Sequence, residues 1–257
     1  MAFSGKVCLV TGAAGGLGKA IAAAFLRAGA SVSICDRNAE RLAQATQELT
    51  TVAAHPDRLL ATVADITDEA AIEQVHQKTV ATFARLDVLV NNAGIVDRMD
   101  PVGTLERDLW QKLVAVNLTA PYLFSKLAVQ QMLSQQPPAG VIINIASVAG
   151  IRGSAAGAGY VATKHGLVGL TKHTAAFYND KGIRCVAFLA GQMMTNIGDG
   201  LAAGINEEGF EVLKRGNPGA TIVDVADVAE MVTFYASDSA RVSNGALVSV
   251  DGGWMAY

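Results

Sequence analysis

Short runs rich in β-branched and aliphatic residues alternate along this chain with longer Ala-rich stretches, and few folds accommodate that rhythm. Strands are predicted over residues 6–11, 31–36, 59–63, 88–91, 141–145, 184–189 and 246–250. Several are apolar at consecutive positions, as a strand covered by helices on both faces must be. Between them apolar residues recur at intervals of three and four, which predicts helices over 16–28, 38–49, 69–84 and 160–178. This strand–helix–strand order selects an α/β fold. It is a doubly wound, seven-stranded parallel sheet with helices on both faces and ligands beyond the carboxyl ends of the strands. No repeat, low-complexity tract or linker interrupts it, so residues 1–257 are expected to form a single domain that both binds and reacts.

The stretch from 193 to 221 departs from the rhythm. Glycines at 198, 200, 204, 209, 216 and 219 are interleaved there with Leu201, Ile205, Phe210, Val212 and Leu213. That composition suits one or two short helices on flexible joints, a lid over a site. Charged residues make up 17% against 51% apolar, which argues against a disordered chain. A net charge of −3 offers no broad basic face, so no nucleic-acid partner is expected. No apolar run reaches the ~18 residues of a membrane helix, and no leader-like segment precedes the first strand. Cys8, Cys35 and Cys185 are odd in number and sit in strand-like runs, so buried thiols in a reducing, cytoplasmic compartment are expected.

The first strand runs into Thr-Gly-Ala-Ala-Gly-Gly-Leu-Gly, residues 11–18, and then into the first helix. Glycine is required where backbone turns sharply or approaches a pyrophosphate, and a helix N-terminus favours the negative charge. Gly12, Gly15, Gly16, Leu17 and Gly18 are therefore candidate cofactor contacts. Asp36 closes the second strand, where a carboxylate accepts hydrogen bonds from an adenosine ribose and repels a 2′-phosphate. NAD is expected over NADP, with Arg37 as the one residue that would favour the phosphate.

Tyr160 and Lys164 are four positions apart at the start of a helix and so share a face. An ammonium that close favours the phenolate and is expected to lower the phenol pKa. Ser147 follows the fifth strand, where its hydroxyl is placed to hold a substrate oxygen. His165 and His173 on the same helix lack metal-ligand spacing and read as surface or packing residues, so no metal is expected.

Taken together, Thr11-Gly12-x-x-x-Gly16-x-Gly18, Asn91-Asn92-Ala93-Gly94, Asn117, Ser147, Tyr160-x-x-x-Lys164 and Asp251-Gly252-Gly253 resemble the short-chain dehydrogenase/reductase family. The resemblance covers nearly the whole chain and implies a Rossmann fold. It implies that Asn91, Asn92, Ala93 and Gly94 stabilise the sheet and lie beside the cofactor, and that Asp65-Ile66 contacts adenine. It implies that Asn117 holds a helix irregularity and a water that continues a proton relay to Lys164. Gly191 and Thr195 match a segment that binds the nicotinamide carboxamide. Met193, between them, is assigned to the cofactor wall or to an apolar substrate pocket. Ala190 stands where the family usually has proline, which frees φ and restores an N–H, so a looser lid hinge is expected.

The expected reaction interconverts a secondary alcohol and a ketone. Tyr160 transfers the proton, Ser147 holds the oxygen, and Lys164 anchors the ribose. An NAD-using epimerase or dehydratase on the same fold, or a non-catalytic NAD-binding sensor, is the alternative. The substrate pocket is expected from residues 97–104, 148–158 and 192–215, with room for a bulky or cyclic ketone beside the small residues of the second segment. Arg98, Arg152 and Arg215 are its only candidate cations. Trp110 is expected to pack as helix bulk, and Trp254 to close the site or meet a neighbouring subunit. A homotetramer is expected through the helices over 119–132 and 159–178, with Ala175, Ala176 and Phe177 on their outer faces.

Overall fold

The computed structural model describes residues 1–217, 219 and 221–256. Its seven strands are β1 (Val7–Thr11), β2 (Ser31–Asp36), β3 (Leu59–Val63), β4 (Val88–Asn91), β5 (Gly140–Ile145), β6 (Ile183–Ala190) and β7 (Leu247–Val250). All pair in parallel, in the order β3-β2-β1-β4-β5-β6-β7. The order reverses between β1 and β4, and ligands bind at such a switch point.

Among the described residues, eight α-helices connect the strands. They are α1 (Gly16–Arg27), α2 (Ala39–Val52), α3 (Glu69–Phe83), α4 (Arg107–Val114), α5 (Ala120–Ser134), α6 (Ala158–Tyr178), α7 (Glu207–Gly216) and α8 (Val225–Ala236). Side chains of successive strand residues point to opposite faces, and the core divides accordingly. Cys8, Val10, Ile34, Val90 and Ile143 pack with α1, α2 and α8, whereas Val7, Leu9, Leu89 and Ile142 pack with α3, α5 and α6. Helix α8, which sequence periodicity did not single out, contributes Val228, Ala229 and Val232 to the first of these layers.

Two expectations are corrected here. Ala175 faces the sheet at 5% exposure and not the solvent, because it continues the buried stripe through Tyr160, Lys164, Leu167 and Thr171 at helical spacing. Ala176 and Phe177 do lie on the exposed side. Trp110 is 42% exposed on α4 and so is not buried helix-packing bulk. The lid comprises a 3-10 segment (Asn196–Ala203) and α7, joined by 204–206. Of the residues expected in it, Pro218 and Ala220 lie outside the described residues. Among the described residues, no helix is long and apolar enough to cross a membrane.

Candidate active site

The carboxyl ends of β1, β2, β4, β5 and β6 open onto one cavity of about 580 Å³. The turn after β1 explains its glycines. Gly12 has φ +65°, and a Cβ there would stand 2.7 Å from Ala93 Cα; a Cβ on Gly18 would overlap the Gly12 carbonyl. The turn is tied to the segment after β4. Thr11 Oγ1 accepts from the N–H groups of Asn92 (3.1 Å) and Ala93 (3.0 Å), while the Asn92 amide donates to the carbonyls of Thr11 (2.9 Å) and Gly12 (3.0 Å). Helix α1 thus begins with its N–H groups toward the cavity and carries no acidic residue in its first turn, an arrangement suited to a pyrophosphate.

Asp36 accepts from Ala14 N–H at 3.1 Å and Asn38 N–H at 3.0 Å, which fixes its carboxylate at the cavity wall. Arg37, Asp65 and Ile66 line the same end. Hydrogen bonds from the backbone and hydroxyl of Thr67 hold the Asp65 carboxyl below its ordinary pKa. Gly12, Gly15, Gly16, Leu17, Gly18, Asn92, Ala93, Gly94, Gly191, Met193 and Thr195 all line the cavity as well, with Ser147, Tyr160 and Lys164. Gly191 has a packing reason to be glycine, since a Cβ would stand 2.6 Å from Asp251 Cα. Ala190 extends β6 by one residue, paired with Val250. The backbone donors, the strand-end carboxylate of Asp36 and the glycine cradle fit a dinucleotide.

Tyr160 lies in the first turn of α6 and Lys164 one turn on, both buried. Lys164 Nζ is 5.4 Å from the Tyr160 ring centroid and donates a 2.7 Å hydrogen bond to the Ile145 carbonyl. The protein's own groups do not produce the lowered phenol expected from the spacing. Burial pushes the Tyr160 phenol up to about 12, against hydrogen bonding with Ser147 and with help from the charge of Asp97. Burial also pulls the Lys164 ammonium down to about 8. Desolvation outweighs the neighbouring cation because each charged form is removed from water.

Asn117 does not line the cavity. It sits in a π-helical turn (Ala115–Thr119), and its side chain accepts from Ile95 N–H at 2.9 Å and donates to Ile95 O at 2.8 Å. Its Oδ1 and Lys164 Nζ flank Gly94, at 3.5 and 3.7 Å from the position of a Cβ there. Asn91 lies further from the site, donating to Asn144 Oδ1 at 2.8 Å between β4 and β5.

The expected substrate pocket is only partly open. Met193, Thr195, Asn196 and Ile197 line the cavity, but among the described residues none of 97–104 or 148–158 does. Two of that segment's small residues are small for packing: a Cβ on Gly150 would stand 3.0 Å from Val168, and one on Gly157 would meet Asp97. Val148, Ala149, Ala155 and Trp254 instead form an apolar cluster with Tyr160, against which Leu213 of α7 packs. Trp254 Nε1 donates to Gly216 O at 2.9 Å, so this tryptophan ties the C-terminal segment to the lid. Arg98 pairs with Asp100 at 3.5 Å, and Arg152 donates to Trp254 O at 3.1 Å. Arg215 is exposed on α7, as are His165 and His173 on α6, and Met194 is 76% exposed.

Two features lay outside the sequence reading: the pairing of Arg41 with Asp199 at the cavity rim, and Asp97 beneath the start of α6. No motif marks either; both depend on segments distant in the chain.

A glycine-cradled groove at a switch point, with a buried Tyr and Lys one turn apart at its wall, is the architecture of a nicotinamide-dependent oxidoreductase. Residues 6–206 match the family model for short chain dehydrogenase, and the chain belongs to that family. It is 50% identical to a short chain dehydrogenase/reductase of Colletotrichum higginsianum, covering 98% of this chain and 94% of that protein. It is 38% identical to 3beta-hydroxysteroid dehydrogenase 2 of Eggerthella lenta, covering 99% and 96%. The crystal structure of a 3-ketoacyl-(acyl-carrier-protein) reductase from Brucella melitensis complexed with NADH superimposes with a TM-score of 0.86. It is 29% identical, over 98% of each chain.

Proposed function

We propose that this protein is an NAD(H)-dependent oxidoreductase interconverting a secondary alcohol and a ketone, with Tyr160 as general acid and base. The observation that carries this reading is one cavity wall shared by Ser147, Tyr160 and Lys164, continuous with Asp36 three strands away. A nicotinamide held between them would supply or accept the hydride.

The roles of the chain's own groups follow from their positions. Ser147 directs its hydroxyl to the substrate oxygen. Tyr160, held protonated by burial, gives its proton to that oxygen during reduction and takes it back during oxidation. Lys164 is fixed by Ile145 and supplies positive charge beside the ribose and the phenol. Asn117 acts through Gly94 and Lys164, keeping the π-helical turn in place. Asp36 favours NAD, since its fixed carboxylate would meet a 2′-phosphate as a like charge.

The substrate is an apolar, cyclic ketone or its alcohol. Val148, Ala149, Ala155 and Trp254 pack an apolar cluster with the Tyr160 ring, and Arg98 and Arg152 are engaged with protein groups. The hydroxysteroid dehydrogenase relative supports the same class. One domain carries both sites. A homotetramer is supported by exposed Tyr122 on α5 and Phe177 on α6, and a cytoplasmic setting by three buried, unpaired cysteines.

The test is absorbance at the reduced-nicotinamide band, with NAD and NADP offered separately alongside a panel of alicyclic secondary alcohols. Growth with NAD is expected. Growth with NADP alone would mean that Arg37 outweighs Asp36, and silence with every alcohol despite NAD binding would remove the dehydrogenase reading.

A further inference from the structure

Helix α6 carries no cap of its own. Gly157, at its N-cap, has no side chain to offer, and the first turn contains no acid. The missing acceptor comes from the loop between β4 and α4. Asp97, 0% exposed, accepts from Gly157 N–H at 3.0 Å through Oδ1 and from Tyr160 N–H at 2.9 Å through Oδ2. Its Oδ1 also accepts from Met99 N–H at 3.2 Å, and the carbonyl of Asp100 accepts from Ala158 N–H at 2.9 Å. The loop therefore grips three residues at the start of α6, one of them the residue that transfers the proton.

The contact is tight enough to fix position. A Cβ on Gly157 would stand 2.6 Å from Asp100 N, and one on Gly159 would stand 2.6 Å from Leu113 of α4. A carboxylate at a helix N-terminus is also held by the helix dipole, and here it accepts three N–H groups, those of Gly157 and Tyr160 in fully buried bonds.

We propose that Asp97 is a positioning residue for Tyr160, seating the first turn of α6 against the cavity and placing an anion behind the phenol. This rests on Tyr160 being the acid and base. The anion opposes a second negative charge on the phenol, so Asp97 favours the protonated form that ketone reduction consumes. The other charged or titratable groups facing this locus are Asp100, itself 3% exposed and paired with Arg98, and Lys164 on α6; Ser147 after β5 is polar, and α4 presents apolar Leu113. Asp97 itself is pushed up by burial and by Asp100, while the three N–H groups pull it down.

The experiment is the pH profile of kcat for alcohol oxidation in the whole enzyme, comparing wild type, Asp97→Asn, Asp97→Glu and Tyr160→Phe. Asp97→Asn removes the charge and is expected to move the rising limb to lower pH by about half a unit or more. Asp97→Glu keeps the charge but lengthens the reach, so the limb stays in place while kcat falls about tenfold at unchanged KM for the cofactor. An unmoved limb in Asp97→Asn overturns the proposal. If that variant does not fold, wild-type kcat in Asp97→Glu overturns it instead. Tyr160→Phe separates the two levels: activity in that variant sinks the assignment of the proton-transfer residue, whereas an inactive Tyr160→Phe with an unmoved Asp97→Asn limb sinks only the role of Asp97.

Discussion

Arg41, in the first turn of α2, and Asp199, in the 3-10 segment of the lid, form a 2.6 Å ion pair at the rim of the cavity. The pair bridges the Asp36 end of the groove and the 3-10 segment at its rim. Both side chains are about half exposed, so the attraction is modest and screened by salt. Arg41→Ala or Asp199→Asn is expected to speed release of bound NADH about two- to fivefold at low ionic strength, with the difference shrinking in high salt. Stopped-flow displacement measures it, and equal release rates at low salt would show that the pair does not latch the lid.

The lid is seated by backbone contact as well as charge. Gly209 of α7 rests against the Met99 carbonyl, where a Cβ would overlap it, and Asn206 N–H donates to Arg98 O at 2.7 Å. Gly209→Ala is expected to lift α7 and raise KM for the ketone about tenfold, leaving the Kd for NADH within about twofold. A proportionate loss of both would place α7 in cofactor binding instead.

Lys164 carries a stability cost for its function. Its pKa is about 8 in the folded chain against an ordinary 10.5, with burial as the cause. The folded state therefore resists protonation: the penalty is full below pH 8 and fades as pH rises from about 8 to 10.5. A shift of that size corresponds to a penalty on the order of 3 kcal/mol at neutral pH. That is at or above the net contribution of one hydrogen bond from a charged donor to Ile145, about 1.5 to 3 kcal/mol. Lys164→Met is expected to lose turnover yet melt about 2 °C or more higher at pH 7, the gain shrinking as pH rises through 8 and vanishing only above 10.5. A lower Tm at pH 7 would mean that the ammonium is held more favourably than its burial implies.

Much of this was legible in the residues themselves. Strand bounds agree to within a residue because most of these parallel strands are buried on both faces and read as short apolar runs; β2 and β4 coincide with the predicted segments. The glycine turn and the Tyr–Lys spacing are local patterns whose geometry follows from backbone alone. Asp97 was not legible, since a loop acid is ordinary until a helix start 60 residues later closes over it. The Arg41–Asp199 pair spans 158 residues, and nothing local marks it. Burial accounts for the phenol: the helix spacing placed a cation beside Tyr160, but only the packed structure shows how little water reaches either group.

Tyr160→Phe tests the chemistry most directly. The variant keeps the ring and its packing and removes only the proton-bearing oxygen. With NADH binding followed by fluorescence and turnover by nicotinamide absorbance, binding is expected to be unchanged while kcat falls about 100- to 10,000-fold. Turnover within about tenfold of wild type, with binding intact, would contradict Tyr160 as the acid and base.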